Sequence, residues 1–121
     1  MTGRLAGKTA LILGASSEGN MGQVMASRFI EEGAKVMVSG RKADVLEKFA
    51  AQAGCLWSPC DLTDEASVNA LAETASEQLG GIDIAINATG WGLLKPFLDI
   101  TREELEAMTA LQFKPRPEFW N

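Results

Sequence analysis

The run Gly14-Ala15-Ser16-Ser17-Glu18-Gly19-Asn20-Met21-Gly22 constrains this chain more than any other stretch. It follows Lys8-Thr9-Ala10-Leu11-Ile12-Leu13, which reads as a short buried strand, and it precedes Gln23 to Glu32, which reads as an amphipathic helix. A glycine run alone is a weak signal. Strand, glycine loop and helix in that order mark a turn that receives phosphate. The glycines let main chain approach a pyrophosphate, and the helix start offers N–H groups without intrahelical acceptors and a partial positive charge. The order predicts a dinucleotide-binding chain. A tight strand-to-helix turn with no ligand is the competing reading of the same residues.

Strand and helix patterns alternate along the rest of the chain. Thr9 to Leu13 is the first strand, and the helix after it presents Met21, Met25, Phe29 and Ile30 at helical spacing before Gly33 stops it. Lys35 to Ser39 is a second strand, and Lys42 to Ala53 a helix with Val45, Leu46 and Phe49 inward, ended by Gly54. Cys55 to Ser58 is a third, short strand closed by Pro59. Asp64 to Leu79 is a helix with Val68, Leu71, Ala72, Ala75 and Leu79 on one face, broken by Gly80-Gly81. Ile82 to Ile86 is a fourth strand, followed by the loop Asn87-Ala88-Thr89-Gly90. Thr101-Arg102-Glu103-Glu104 is a capping box that opens a last helix to about Phe113, where Pro115 and Pro117 end it. Alternation of this kind predicts an α/β fold, a doubly wound parallel sheet of Rossmann type with strand order 3-2-1-4. Its ligand crevice lies beside the first strand, where the winding reverses. Residues 1–113 read as one dinucleotide-binding domain, and 114–121 as a loose tail.

Composition removes several function classes. The net charge is −5 and the basic residues are scattered, which argues against a nucleic-acid partner. No apolar stretch is long enough to span a membrane and the N-terminus has no signal-peptide core, so the expected location is the cytoplasm. Cys55 and Cys60 are the only cysteines and there is no histidine, so no zinc pattern forms and both read as reduced thiols. Tyrosine is absent too, which removes two of the usual proton-transfer side chains.

Four motifs, each at the end of the right element, together resemble one family, the short-chain dehydrogenases/reductases. They are the glycine loop, Asp61-Leu62-Thr63-Asp64 after the third strand, Asn87-Ala88-Thr89-Gly90 after the fourth, and Leu111-Gln112-Phe113-Lys114 late in the last helix. The resemblance covers the N-terminal half of a typical member, which implies that the domain of residues 1–113 is incomplete before a fifth strand. It departs from the family pattern at Leu13, where a threonine is usual, and in the glycine loop, which is two residues longer. Divergent members, the enoyl-carrier-protein reductases among them, also carry lengthened loops.

The resemblance implies a cofactor site made of Gly14, Ala15, Ser16, Ser17, Gly19, Met21, Gly22, Arg41, Asp61, Leu62, Asn87, Ala88 and Gly90. The pyrophosphate is expected over Ala15-Ser16 and the main chain near Met21. NAD-preferring relatives place an acidic residue where this chain has Gly40, and Arg41 next to it suits a 2′-phosphate, so NADP is the preferred cofactor and NAD the alternative. Glu18 in the loop argues the other way. Asp61 is expected to accept from the adenine amino group, with an Asx turn as its competing reading. Asn87 is expected to tie the fourth strand to its neighbours and to shape the ribose site, or to do only the first. Trp91 and Gly92 belong at the crevice mouth, and Trp91 suits a substrate loop or a dimer contact equally.

The family's catalytic tyrosine and lysine lie in a Tyr-x-x-x-Lys segment with no counterpart here, and Gln112 stands where the family has an asparagine. No catalytic residue is carried over. The implied function is an NAD(P)-dependent oxidoreductase, with hydride passing between the nicotinamide and a carbonyl, alcohol or enoyl carbon. This chain supplies the cofactor-binding half. A non-catalytic dinucleotide-binding or dimer-partner module is the alternative from another class, and a ligand-free structural domain a third. A small-molecule substrate and a homo-oligomer are expected of a full-length protein. The ending reads as a truncated, alternatively spliced or frameshifted product of a longer dehydrogenase, which leaves the fourth strand an exposed apolar edge.

Overall fold

The structure, a computed structural model, describes residues 3–17, 19–89 and 97–112. Its elements are β1 (Thr9–Leu13), α1 (Met21–Glu31), β2 (Lys35–Gly40), α2 (Ala43–Ala53), β3 (Leu56–Pro59), α3 (Glu65–Leu79), β4 (Ile84–Asn87), a 3₁₀ turn (Phe97–Asp99) and α4 (Arg102–Gln112). The strands are all parallel, in the order β3-β2-β1-β4. This is the expected doubly wound arrangement, with the reversal of winding at β1.

Side chains alternate between the two faces of a strand, so a strand covered on both faces is apolar throughout. Ala10 and Ile12 of β1 and Val36 and Val38 of β2 join Ala26 and Leu46 in one core, under α1 and α2. Leu11, Leu13 and Met37 join Val68, Leu71, Ala75 and Leu79 in the other, under α3. The long apolar runs of β1 and β2 are thus explained by helices on both sides. At the sheet edge β4 pairs with β1 alone among the described strands, and Ile84 and Ile86 are half-buried against the α1–α2 core.

Helix ends follow the sequence signals closely. Gly54 and Gly80 close α2 and α3 in left-handed conformation, at φ +76° and +77°. The capping box at α4 is reciprocal: Glu104 N–H donates to Thr101 Oγ1 at 3.1 Å, and Thr101 N–H donates to Glu104 Oε1 at 2.9 Å. The tail 114–121 and the expected helix end at Phe113 lie outside the described residues.

Two expectations are corrected. Met21 is 72% exposed, not part of the core. The helix approaches β1 so closely that a Cβ on Gly22 would stand 2.6 Å from the Gly14 carbonyl oxygen, so α1 packs on its small face at Gly22 and Ala26 and turns Met21 outward. The fourth strand begins at Ile84 rather than Ile82. There the Asp83 carboxylate, not a main-chain carbonyl, takes the Thr9 N–H at 2.9 Å, while the Asp83 N–H donates to Thr9 O at 3.1 Å.

Candidate functional site

Parallel pairing brings four chain turns to one end of the sheet. Leu13 is level with Ser39 and Asn87, and Gly40 with Pro59. The loops that leave these positions carry the expected site residues, and ligands of open α/β sheets bind outside this carboxyl end.

The first turn of the glycine loop is held to β2. Ser39 O accepts from Gly14 N–H at 2.8 Å and from Ala15 N–H at 3.0 Å. Gly14 has φ +92°, and a Cβ there would lie 2.5 Å from the carbonyl carbon of Ala88. Only glycine suits both the backbone and the space. The Ala15 side chain is fully buried in the core. With its N–H committed to Ser39, Ala15 shapes the loop and keeps no free amide for a phosphate.

The second turn belongs to α1. Asn20 caps the helix through Oδ1, which accepts from Gln23 N–H at 3.1 Å, and its Nδ2 donates to Gly14 O at 2.7 Å. Ser17 O accepts from Asn20 N–H at 3.0 Å, and Gly19 turns the chain at φ +70°. The amides of Met21 and Gly22, at the open end of the helix, meet no acceptor among the described residues. They carry the helix's partial positive charge toward the crevice.

Ser16 crosses to the start of α2, where its Oγ accepts from Lys42 N–H at 3.1 Å. Arg41, exposed at the same corner, faces Asp61 from the next strand end. The Asp61 carboxylate accepts from the Thr63 hydroxyl at 2.6 Å and from the Thr63 amide at 3.0 Å, both through Oδ1. Those bonds, the hydroxyl first, hold its pKa below the ordinary carboxylate value, helped by the charge of Arg41 and opposed by partial burial. The Asx-turn reading of Asp61 is therefore present in full, and Oδ2 meets no donor among the described residues. Leu62 turns its side chain into the α3 core.

On the β4 side, Ala88 N–H donates to Leu13 O at 2.9 Å and continues the ladder. Asn87 Oδ1 accepts from the amide of Thr89, at 3.0 Å, and from its hydroxyl. The Asn87 carboxamide oxygen thus folds its own loop, while the tie to β1 runs through main chain. Gly90, Trp91, Gly92 and Glu18 lie outside the described residues.

Asn20 and Gln23 are the site residues that the motif reading passed over. Their signal was in the sequence: Asn20-Met21-Gly22-Gln23 has the spacing of a capping box. The structure uses it differently, as Gln23 Oε1 accepts from Gly19 N–H at 3.0 Å instead of reaching the cap residue's own amide. Among the described residues no group of side chains is arranged to hold a metal ion, and no helix is long and apolar enough to cross a membrane.

Residues 14–114 match a family model described as enoyl-(acyl carrier protein) reductase. The chain is 38% identical over 108 residues to an NADP-dependent (R)-specific alcohol dehydrogenase of Lentilactobacillus kefiri, covering 86% of this chain and 42% of that one. It is 34% identical over 113 residues to an uncharacterized oxidoreductase of Staphylococcus aureus strain N315, covering 91% of this chain and 48% of the other. Among solved structures it resembles a short chain dehydrogenase from Mycobacterium smegmatis, with a TM-score of 0.84 and 28% identity over 92% of this chain and 49% of that chain. A short-chain type dehydrogenase/reductase from Mycobacterium marinum is similar at a TM-score of 0.79 and 35% identity, over 88% of this chain and 43% of that one. The chain spans somewhat less than half the length of these relatives.

Proposed function

The chain belongs to the short-chain dehydrogenase/reductase family, and from that premise we propose that it is the cofactor-binding half of an NADP-dependent oxidoreductase. One observation carries the reading: the open amides of Met21 and Gly22 and the glycine contact of Gly14 with Ala88 lie around the same end of β1. Two features support a dinucleotide here: glycine at position 14 lets the turn after β1 close against the Ala88 main chain, and the open helix end favours an anion.

In this reading the amides of Met21 and Gly22 receive the pyrophosphate, with Ser16, Ser17 and Gly19 shaping the approach. Asp61 Oδ2 accepts from the adenine amino group beside Leu62, while Thr63 keeps Oδ1. Asn87 and Ala88 border the ribose, with Gly90 following them. Arg41 pairs with a 2′-phosphate, as no acidic side chain competes at Gly40. When bound, the nicotinamide supplies or takes up hydride. The residues of this chain bind and orient it, and with no tyrosine in the sequence none is assigned the proton transfer. The substrate class divides between a carbonyl/alcohol pair, in keeping with the alcohol dehydrogenase relative, and an enoyl thioester, in keeping with the description of the matching family model.

Calorimetric titration of the 121-residue chain with NADPH and, in parallel, NADH tests the reading. Saturable binding that favours NADPH is expected. Equal affinity for both removes the role of Arg41, and no binding of either removes the cofactor reading for this chain.

A further inference from the structure

Gln23 and Ser39 are the two buried polar residues among those described; both adjoin the glycine loop, but the Ser39 hydroxyl donates to Ser58 O, whereas the side chain of Gln23, 6% exposed, bonds the loop itself. A buried carboxamide has to satisfy both a donor and an acceptor group, and unmet groups are costly. Gln23 does so by spanning the loop. Its Nε2 donates to Ala15 O at 2.9 Å on the outgoing arm, and its Oε1 accepts from Gly19 N–H at 3.0 Å on the returning arm. Its own amide is held by Asn20, whose Nδ2 ties down Gly14 O at 2.7 Å.

We propose that Gln23 is a positioning residue that clamps the two arms of the lengthened glycine loop and keeps the open amides of α1 aimed at a pyrophosphate. The inference rests on the cofactor reading above and adds a residue that the motif does not contain. A loop with two extra residues has more conformations to lose on ordering, and without a crosslink that cost falls on ligand binding. Gln23 and Asn20 impose the order in advance. They also engage the carbonyls of Gly14 and Ala15, so those oxygens are drawn toward donors instead of opposing an incoming phosphate.

The test compares NADPH with adenosine 2′-monophosphate, which shares the adenosine end but has no pyrophosphate. Gln23→Met keeps the length and loses both bonds, and Gln23→Glu keeps the acceptor for Gly19 and loses the donor to Ala15. In Gln23→Met the NADPH dissociation constant is expected to rise roughly tenfold, with that for adenosine 2′-monophosphate within about twofold of the parent chain. An NADPH constant within twofold of the parent overturns the clamp, and so does equal weakening of both ligands, which marks a general loss of structure. If the methionine variant does not fold, the same comparison is made on Gln23→Glu. Amide exchange of Gly19 in the parent chain is an independent check: protection is expected, and exchange at the rate of a free loop overturns the proposal. A parent chain that binds no dinucleotide fails the cofactor reading itself, whereas a parent that binds beside an unaffected variant fails the clamp alone.

Discussion

The hydroxyl of Ser16 occupies the space into which a side chain on Gly40 would grow: a Cβ built on Gly40 would stand 1.9 Å from Ser16 Oγ. The same oxygen accepts from Lys42 N–H at 3.1 Å, so the glycine loop is tied to the start of α2 beside Gly40, the position at which the family resemblance implies an acidic residue for NAD preference. The side chain at position 40 and the loop geometry are therefore coupled here. An acidic residue at Gly40 and the present position of Ser16 exclude one another.

Gly40→Asp tests that coupling. The new side chain displaces Ser16 and breaks its bond to Lys42, at a cost of about 1–2 kcal/mol in folding stability. It also places a carboxylate beside Arg41. The expected outcome is weaker NADPH binding with a relative gain for NADH, while Gly40→Asp combined with Ser16→Gly recovers stability and keeps the altered preference. Denaturant titration and calorimetry on the two variants measure both effects. A single variant as stable as the parent contradicts the steric argument.

Arg41→Ala separates charge from shape, since nothing in the described structure hydrogen-bonds the guanidinium in place. A charge-assisted pair with a 2′-phosphate predicts NADPH affinity lower by about tenfold and NADH affinity unchanged. The variant also removes the nearby positive charge that lowers the pKa of Asp61, so the Asp61 carboxyl is expected to titrate at higher pH in NMR. Loss of NADH affinity to the same degree contradicts a role specific to the 2′-phosphate.

Gly14→Ala meets two obstacles at once, a φ of +92° and a backbone carbon of Ala88 at 2.5 Å from the added Cβ. A loss of about 2–3 kcal/mol is expected from the urea midpoint, because neither the loop nor β4 can yield without breaking sheet hydrogen bonds. At Gly19 the φ is also positive, +70°, but the space is open, so Gly19→Ala is expected to cost less. Equal costs at the two positions contradict the account of close contact.

The layers, strand order and helix caps were legible because each rests on local chemistry. Apolar runs at β1 and β2 demand cover on both faces, and Gly54, Gly80 and Thr101–Glu104 end or begin helices by their own conformation and hydrogen bonds. What the motifs missed depends on distance. Met21 looks like a core residue by spacing, yet the close approach of Gly22 to Gly14 rotates it outward. Just before β4, the Asp83 carboxylate takes the amide of Thr9, which is remote in sequence, in place of a main-chain carbonyl. Gln23 reads as an ordinary polar helix residue until the loop folds back over it.

Burial pushes the Cys55 thiol up to about 11, and the Cys60 thiol is raised as well. The thiolate is the reactive form, so at pH 8 Cys55 is expected to react with a disulfide reagent roughly a hundredfold more slowly than an unfolded thiol. Stopped-flow labelling in buffer and in urea is expected to show slow native and fast denatured phases. Rapid native labelling of either cysteine contradicts the packing of β3 against its neighbours.

Asp83 is expected to contribute to the acid side of the stability profile. Its carboxylate accepts from the Thr9 amide at 2.9 Å and from the Thr9 hydroxyl at 3.2 Å, pinning the start of β1 to the turn before β4. The Thr9 amide is the largest cause holding its pKa below the ordinary carboxylate value. A carboxyl with a lower pKa folded than unfolded binds fewer protons in the native state. Its contribution is therefore complete above the ordinary carboxylate pKa and is lost as pH falls through that value toward the lower folded one. Asp83→Asn can still accept from Thr9 but does not titrate in this range. The difference in melting temperature between parent and variant is expected to be constant from pH 8 to about pH 5 and to shrink below that. A difference that stays constant down to pH 3, in an otherwise cooperative transition, assigns the acid sensitivity to other carboxylates.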